Sequence, residues 1–195
     1  MPDTNILVWH PPAVRRLAHA RRYADQMTAY LGLGTASHVI EVASSDGYLL
    51  EHFRLRGIPV IGIEADRSAA DHATKARGVP TLIGSFGRDM ARRLAAEGID
   101  ADLVVANNAL VTAADIEDCL AGVARLLNRE GVATFELPRL SRLSLLTAEH
   151  LFADNGLRIF DIEPTAHGES LQVLACRSDA AWQRAPRIDT ALKVH

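Results

Sequence analysis

The chain has 195 residues, with 21 lysines and arginines against 24 aspartates and glutamates, for a formal net charge of −3. That length suits one domain with a single sizeable core; 48% hydrophobic and 23% charged residues exclude a disordered chain, and the near-balanced charge offers no grip on a nucleic-acid backbone. Two cysteines, Cys119 and Cys176, are too few for a disulfide framework or a cysteine zinc site, no apolar run approaches the roughly 18 residues of a membrane span, and Met1-Pro-Asp-Thr-Asn5 lacks the pattern of a secretory leader, so the expected setting is reduced and cytoplasmic.

Residues 1–12 read as an irregular entry, stiffened by Pro11 and Pro12. Ala13 to Leu31 predicts a helix with Leu17, Tyr23, Met27 and Leu31 as its apolar stripe. Arg15, Arg16, Arg21 and Arg22 flank that stripe and read as a solvated face. Val39 to Ala43 predicts the first strand, broken by Ser44-Ser-Asp-Gly47, and Tyr48 to Arg56 a helix closed by Gly57. The second strand is Val60 to Ile63, ending in Glu64; a helix from Ser68 to Arg77 follows, then a brief strand, Thr81 to Ile83. Arg88 to Glu97 is helical, Leu103 to Ala106 the fourth strand, and Ile116 to Asn128 a helix capped by Asp115. Val132 to Leu137 is the fifth strand, stopped by Pro138.

There the rhythm changes. One more helix, Thr147 to Asn155, leads to two strands, Arg158 to Ile162 and Leu171 to Cys176, joined by a turn over Pro164 to Glu169; two strands with no helix between them imply an antiparallel pair. Ser178 to His195 reads as a polar tail with a short helix. The pattern predicts an α/β protein: a doubly wound, Rossmann-like, seven-stranded and mostly parallel sheet with a terminal antiparallel hairpin. The implied division is an entry segment at 1–12, a ligand-binding domain at 13–177 and a tail at 178–195.

In such sheets the ligand lies beyond the carboxyl ends of the strands, beside strand one. Those ends read Glu41-Val-Ala-Ser-Ser-Asp-Gly47, Glu64-Ala-Asp66, Gly84-Ser-Phe86, Asn107-Asn108 and Glu136-Leu-Pro138. The first loop lacks G-x-G-x-x-G, through which a pyrophosphate approaches a helix N-terminus. Its small residues still leave room for a ligand, and Glu41 and Asp46 would repel a pyrophosphate but suit a positive end. Glu64 follows Glu41 at close to the roughly 20-residue spacing at which a strand-two carboxylate grips ribose hydroxyls. A ribose-bearing, phosphate-free, partly cationic ligand describes S-adenosylmethionine (SAM). Each residue has a plainer alternative: Glu64 as a helix cap, and Asp46 as an N-cap for the residues that follow it.

Between Ala18 and Arg177 the sequence resembles class I SAM-dependent methyltransferases, the sugar C-methyltransferase group in particular. The strings that carry this are His19-Ala-Arg-Arg-Tyr-Ala24, Glu41-Val-Ala-Ser-Ser-Asp-Gly-Tyr-Leu-Leu50, Gly62-Ile-Glu64, Ala106-Asn-Asn108, Gly131-Val-Ala-Thr-Phe-Glu-Leu-Pro138 and His167-Gly-Glu-Ser-Leu171. The resemblance implies that Glu41 and the loop Ala43, Ser44, Ser45, Asp46, Gly47 hold the methionine portion. It implies that Glu64, with Ala65 beside it, holds the ribose, that Ser85 and Phe86 sit at the adenine, and that Asn107 lines the cofactor. The chain departs from the group in lacking a cysteine-rich zinc domain, a further C-terminal domain and the Tyr-His-Glu-His segment that supplies the base. Thr112, Glu169 and Gln172 also replace a histidine, a glycine and an arginine usual there.

The expected function is therefore SAM-dependent methyl transfer to a small-molecule acceptor, with no nucleic-acid or membrane partner and an oligomeric state left open, a homodimer included. O- or N-methylation asks less of the protein than C-methylation, because SAM is already activated and in-line placement does much of the work. The alternatives are a SAM-binding protein that has lost catalysis, serving as sensor or partner subunit, and an NAD-type enzyme, disfavoured by the missing glycines. No catalytic residue is assigned. His167 and Glu136 are the acid/base candidates, Glu149 and His150 read as solvent-facing, the eight histidines show no metal-ligand spacing, and both cysteines read as core thiols.

Overall fold

The computed structural model describes residues 12–107, 115–138, 142–165 and 170–193. The elements are α1 (Pro12–Leu31), β1 (Val39–Val42), α2 (Leu50–Arg54), β2 (Val60–Glu64), α3 (Arg67–Arg77), β3 (Thr81–Ile83), α4 (Arg88–Ala96), β4 (Ala101–Val105), α5 (Ile116–Leu126), β5 (Leu127–Pro138), α6 (Arg142–Asp154), β6 (Leu157–Pro164), β7 (Ser170–Arg177) and α7 (Pro186–Lys193). The seven strands lie in the order β3-β2-β1-β4-β5-β7-β6. The first five run parallel; β7 inserts antiparallel between β5 and β6. Strand order reverses between β1 and β4, so a crevice opens at their carboxyl ends, where doubly wound sheets take their ligands.

The central strands β1 and β4 are buried on both faces, which is why they read as largely apolar runs rather than as alternations. One face carries α1 and α2, with Tyr23, Met27, Leu50 and Phe53 packed on Val39, Leu103 and Val105. The other carries α4, α5 and α6, with Met90, Leu94, Leu120, Val123 and Phe152 packed on Ile40, Val104 and Phe135. On α1 the buried stripe is Ala20, Tyr23, Ala24 and Met27, the i, i+3, i+4, i+7 set of a helix face. Leu17, expected in that stripe, is exposed. The two alanines let the helix lie close enough that longer side chains are not needed there.

Several elements differ from their expected bounds, β5 and α6 most. β5 starts at Leu127, five residues before Val132, because Gly131 lets the strand pass Ala101: a Cβ at Gly131 would stand 2.5 Å from the Ala101 carbonyl oxygen. Its start is fixed by Asn128 Nδ2, which donates to Asp102 Oδ1 at 2.7 Å. α6 starts at Arg142 rather than Thr147, since Leu145 already begins the buried row that continues through Ala148 and Phe152. The C-terminal segment carries α7, whose Ile188 is wholly buried in the main core.

Candidate functional site

The loop after β1 turns back on itself through three left-handed residues, Ala43 (φ 56°), Ser45 (φ 51°) and Gly47 (φ 74°). Such geometry costs about 1–2 kcal/mol at each non-glycine position, so the surroundings have to impose it. The Ser44 amide donates to the Ile63 carbonyl at 3.1 Å, and the Ser45 amide to Glu64 Oε2 at 2.7 Å. The other oxygen of Glu64, Oε1, accepts from the Asp66 amide at 2.9 Å. Glu64 is thus no helix cap; Asp66 caps α3 by accepting from the Ala69 amide. Each carboxylate oxygen has a second lone-pair site, so Glu64 stays able to accept from a pair of vicinal hydroxyls. Gly62 makes the close approach: a Cβ there would meet Ser44 Oγ at 2.6 Å.

The electrostatics of the loop separate its two acids. Glu41 is 4% exposed, and its Oε2 is buried without a hydrogen-bond partner. Burial, reinforced by the charges of Asp46 and Glu64, pushes its carboxyl well above the ordinary carboxylate range. Burial also works to raise Asp46, but the Arg77 guanidinium outweighs it and holds that carboxyl below its usual value. Arg77 donates to Asp46 Oδ2 at 2.9 Å and to Glu51 Oε2 at 2.8 Å, fastening the loop to α3. Asp46 was expected to face the ligand with its whole charge; one oxygen is committed to Arg77, and only Oδ1 stays buried without a partner. Arg77 carried no sequence signal, since its partner lies 31 residues away.

Ser44 Oγ and Asn107 Oδ1 are likewise buried and unpartnered. Four orphaned oxygens therefore collect at the ends of β1 and β4: those of Glu41, Ser44, Asp46 and Asn107. Buried polar atoms are normally satisfied. Three of these four can only accept while the carboxylates are ionised, an acceptor set that fits an ammonium and hydroxyls and opposes a pyrophosphate. Ala65 and Ser85 are exposed at the next strand ends, and half-buried Phe86 packs against Gly122 of α5. Asn108, Thr112, Arg139, His167 and Glu169 fall outside the described residues. His150 is exposed, whereas Glu149, expected to face solvent, pairs with Arg184 at 2.7 Å. Cys119 and Cys176 are buried, and burial pushes both thiols up to about 11. Among the described residues no group of three His, Cys, Asp or Glu is placed to hold a metal ion, and no described helix is long and apolar enough to cross a membrane.

Beside the loop, a cavity of about 190 Å³ opens between α1 and the ends of β4 to β7. Its walls include Arg22 and Tyr23 from α1, Asn107, Glu136 of β5, Gln172 of β7 and Glu163 of β6. Tyr23 Oη and Thr134 Oγ1 share a buried hydrogen bond of 2.6 Å that ties α1 to β5. Sequence reasoning had Tyr23 as an apolar stripe residue and Gln172 only as a departure from a pattern; the cavity joins them.

Comparison with known proteins fits this geometry. The Methyltransferase domain family matches residues 40–135. The C-methyltransferase NovU of Streptomyces niveus is 29% identical over 190 residues, covering 88% of this chain and 45% of the relative. The chain thus spans a little under half the length of that curated relative. The CcbJ methyltransferase of Streptomyces caelestis has a similar fold, with a TM-score of 0.68 at 14% identity over 87% of this chain and 97% of that one. So has the magnesium protoporphyrin IX methyltransferase ChlM of Synechocystis PCC 6803 with bound S-adenosylhomocysteine, with a TM-score of 0.61 at 16% identity over 87% and 90% of the two chains. Fold and sequence agree: residues 40–135 match the Methyltransferase domain family, and the chain resembles class I SAM-dependent methyltransferases.

Proposed function

We propose that this protein transfers the methyl group of SAM to a small-molecule acceptor, with Glu41, Ala43, Ser44, Ser45, Asp46, Gly47, Glu64, Ala65, Ser85, Phe86 and Asn107 around the cofactor. The observation that carries the reading is the cluster of orphaned, buried acceptor oxygens beside a carboxylate that already organises the loop. SAM supplies an activated methyl group on a sulfonium. The residues do the rest. Glu64 accepts from the ribose hydroxyls while keeping the Ser45 amide. Burial raises the Glu41 carboxyl, and an ammonium beside it would favour its charged form. Asn107 stands where the cofactor crevice meets the cavity, so an acceptor seated there is held next to the methyl group, and positioning supplies much of the rate.

Calorimetric titration with SAM, S-adenosylhomocysteine and NAD tests this reading. Saturable binding of the first two and none of NAD is expected; NAD binding without SAM binding would overturn it. Glu64→Ala removes two charge-assisted hydrogen bonds worth about 1.5–3 kcal/mol each. It should therefore weaken SAM by about 100-fold or more, and an unchanged affinity would remove Glu64 from the ribose site.

A further inference from the structure

We propose that the cavity between α1 and the β5-β7-β6 edge is the acceptor site, that the acceptor is a small polar molecule bearing a protonated amine, and that Glu136 is the catalytic residue that holds this amine and takes its proton. The proposal rests on the methyltransferase reading above and extends it to the acceptor. Three observations point the same way.

The first is register. Glu136 of β5 lies opposite Gln172 of β7, and Gln172 lies opposite Glu163 of β6. An acid, an amide and an acid therefore stand in one row across three strands. Adjacent strands lie about 4.8 Å apart, so the two carboxylates flank a gap of about 10 Å. The second is charge. Glu163 is engaged by Arg187 at 3.1 Å from its outer side. Among the described residues Glu136 has no ion-pair partner, although it is half-buried. Among the described lining residues Arg22 is the one arginine or lysine, and it is exposed on α1. Half-buried Glu136 is thus the acid set back in the wall, while Arg22 and Glu163 lie exposed at the rim. The third is polarity and size. Among the described residues the lining offers only the Tyr23 ring and Pro164 as sizeable apolar surface, which favours a small polar acceptor over a lipid. A volume of about 190 Å³ falls below the roughly 300–1,000 Å³ of drug-sized ligand sites.

Proximity to the cofactor completes the geometry. The Glu136 charge acts on the Tyr48 hydroxyl, as do those of Glu41 and Asp46 in the loop, so Glu136 and the loop share one neighbour. Asn107 belongs to the cofactor crevice and to the cavity wall at once. An amine that binds as an ammonium is not nucleophilic. Its proton passes to the Glu136 carboxylate, and the freed lone pair forms the N–C bond as the C–S bond of the sulfonium breaks. Both electrons of that bond stay on sulfur. The product leaves as a methylammonium ion together with neutral S-adenosylhomocysteine, and Glu136 returns its proton to water.

The test titrates ethanolamine and D-glucosamine, and as matched neutral probes ethylene glycol and D-glucose, into the protein with and without S-adenosylhomocysteine. Saturable millimolar binding of at least one amine is expected, and none of the matched alcohol. Glu136→Gln keeps the shape and removes the charge; it should weaken the amine about tenfold or more, since a charged hydrogen bond contributes roughly 1.5–3 kcal/mol, and leave S-adenosylhomocysteine affinity and Tm unchanged. Alcohols binding as well as amines, amine binding indifferent to Glu136→Gln, or no amine binding overturns the proposal. An amine that binds but yields no N-methylated product by mass spectrometry with SAM overturns the catalytic role. Loss of cofactor binding in the unmodified protein would instead strike the methyltransferase reading, so the two failures are distinct.

Discussion

Tyr23 and Thr134 provide a quantitative test of how α1 is held on the sheet. They are 111 residues apart in sequence, and both are buried. Tyr23→Phe keeps the ring and its edge-on contact with Phe53, 6.4 Å between centroids. It removes the hydroxyl and leaves Thr134 Oγ1 buried without a partner. An intramolecular hydrogen bond contributes about 0.5–1.5 kcal/mol net, but an orphaned buried group costs about 1–3 kcal/mol. Tyr23→Phe should therefore lose about 1–3 kcal/mol. Thr134→Val, which preserves volume and β-branching, should lose a similar amount by orphaning the phenol. The double variant orphans neither group and should lose about 1 kcal/mol or less, so the coupling energy should exceed about 1 kcal/mol. With m near 1–3 kcal/mol/M, a single-variant loss of about 2 kcal/mol moves the urea midpoint by about 1 M, readily read by circular dichroism. If the double variant's loss equals the sum of the single losses within about 0.5 kcal/mol, the bond does not couple α1 to β5 and the reasoning fails.

Two further predictions concern the loop. The Glu41 carboxyl has a folded pKa above its ordinary value of 4.5, so its contribution to stability is fully present below pH 4.5 and is lost as pH rises through the raised value. Glu41→Gln cannot ionise; it should grow more stable relative to the parent as pH rises while weakening SAM, and stability–pH curves that run parallel would refute the burial argument. Gly62→Ala drives a Cβ to 2.6 Å from Ser44 Oγ and 2.9 Å from Thr81 Oγ1. It should cost about 1–3 kcal/mol in thermal unfolding and weaken SAM, with Ser44→Ala in the same background restoring part of the stability only; an unchanged Tm and affinity would show that the loop has slack.

The strand ends proposed to hold the cofactor were legible in the sequence because they are built from short contiguous stretches. Strand ends at Glu41, Glu64 and Asn107 follow from apolar runs and breakers, and their order follows from the doubly wound topology. What local pattern could not supply were pairings over distance. Asp46 looked like a ligand-facing charge because nothing near it in the chain announces Arg77. β5 looked short because Asn128 to Gly131 has turn composition, while the contact that makes it strand is the Ala101 backbone beside Gly131. The last segment read as a polar tail with a short helix, but its docking on the core was not legible because one buried residue, Ile188, makes a weak periodic signal in an eight-residue helix.

That last segment bears on the acceptor side of the molecule. Arg187 of α7 forks onto the Asp161 carboxylate and reaches Glu163, so the helix holds the β6 wall of the cavity from behind. Trp182, just before it, stacks on Phe160 of β6 at 5.0 Å and on Tyr30 of α1 at 5.8 Å, and donates its indole N–H to the Glu130 carbonyl at 3.0 Å. One side chain therefore touches both walls between which the cavity opens, α1 and the antiparallel edge. Arg184 adds a third tie, to Glu149 of α6. The loop after β1 is held by Glu64 of β2 and Arg77 of α3. The width of the cavity is set by α1, pinned at Tyr23, and by β6, braced by residues 182–188. If the cavity takes the acceptor as proposed, residues 182–188 act on its binding without touching it, which separates the requirements of the two halves of the site.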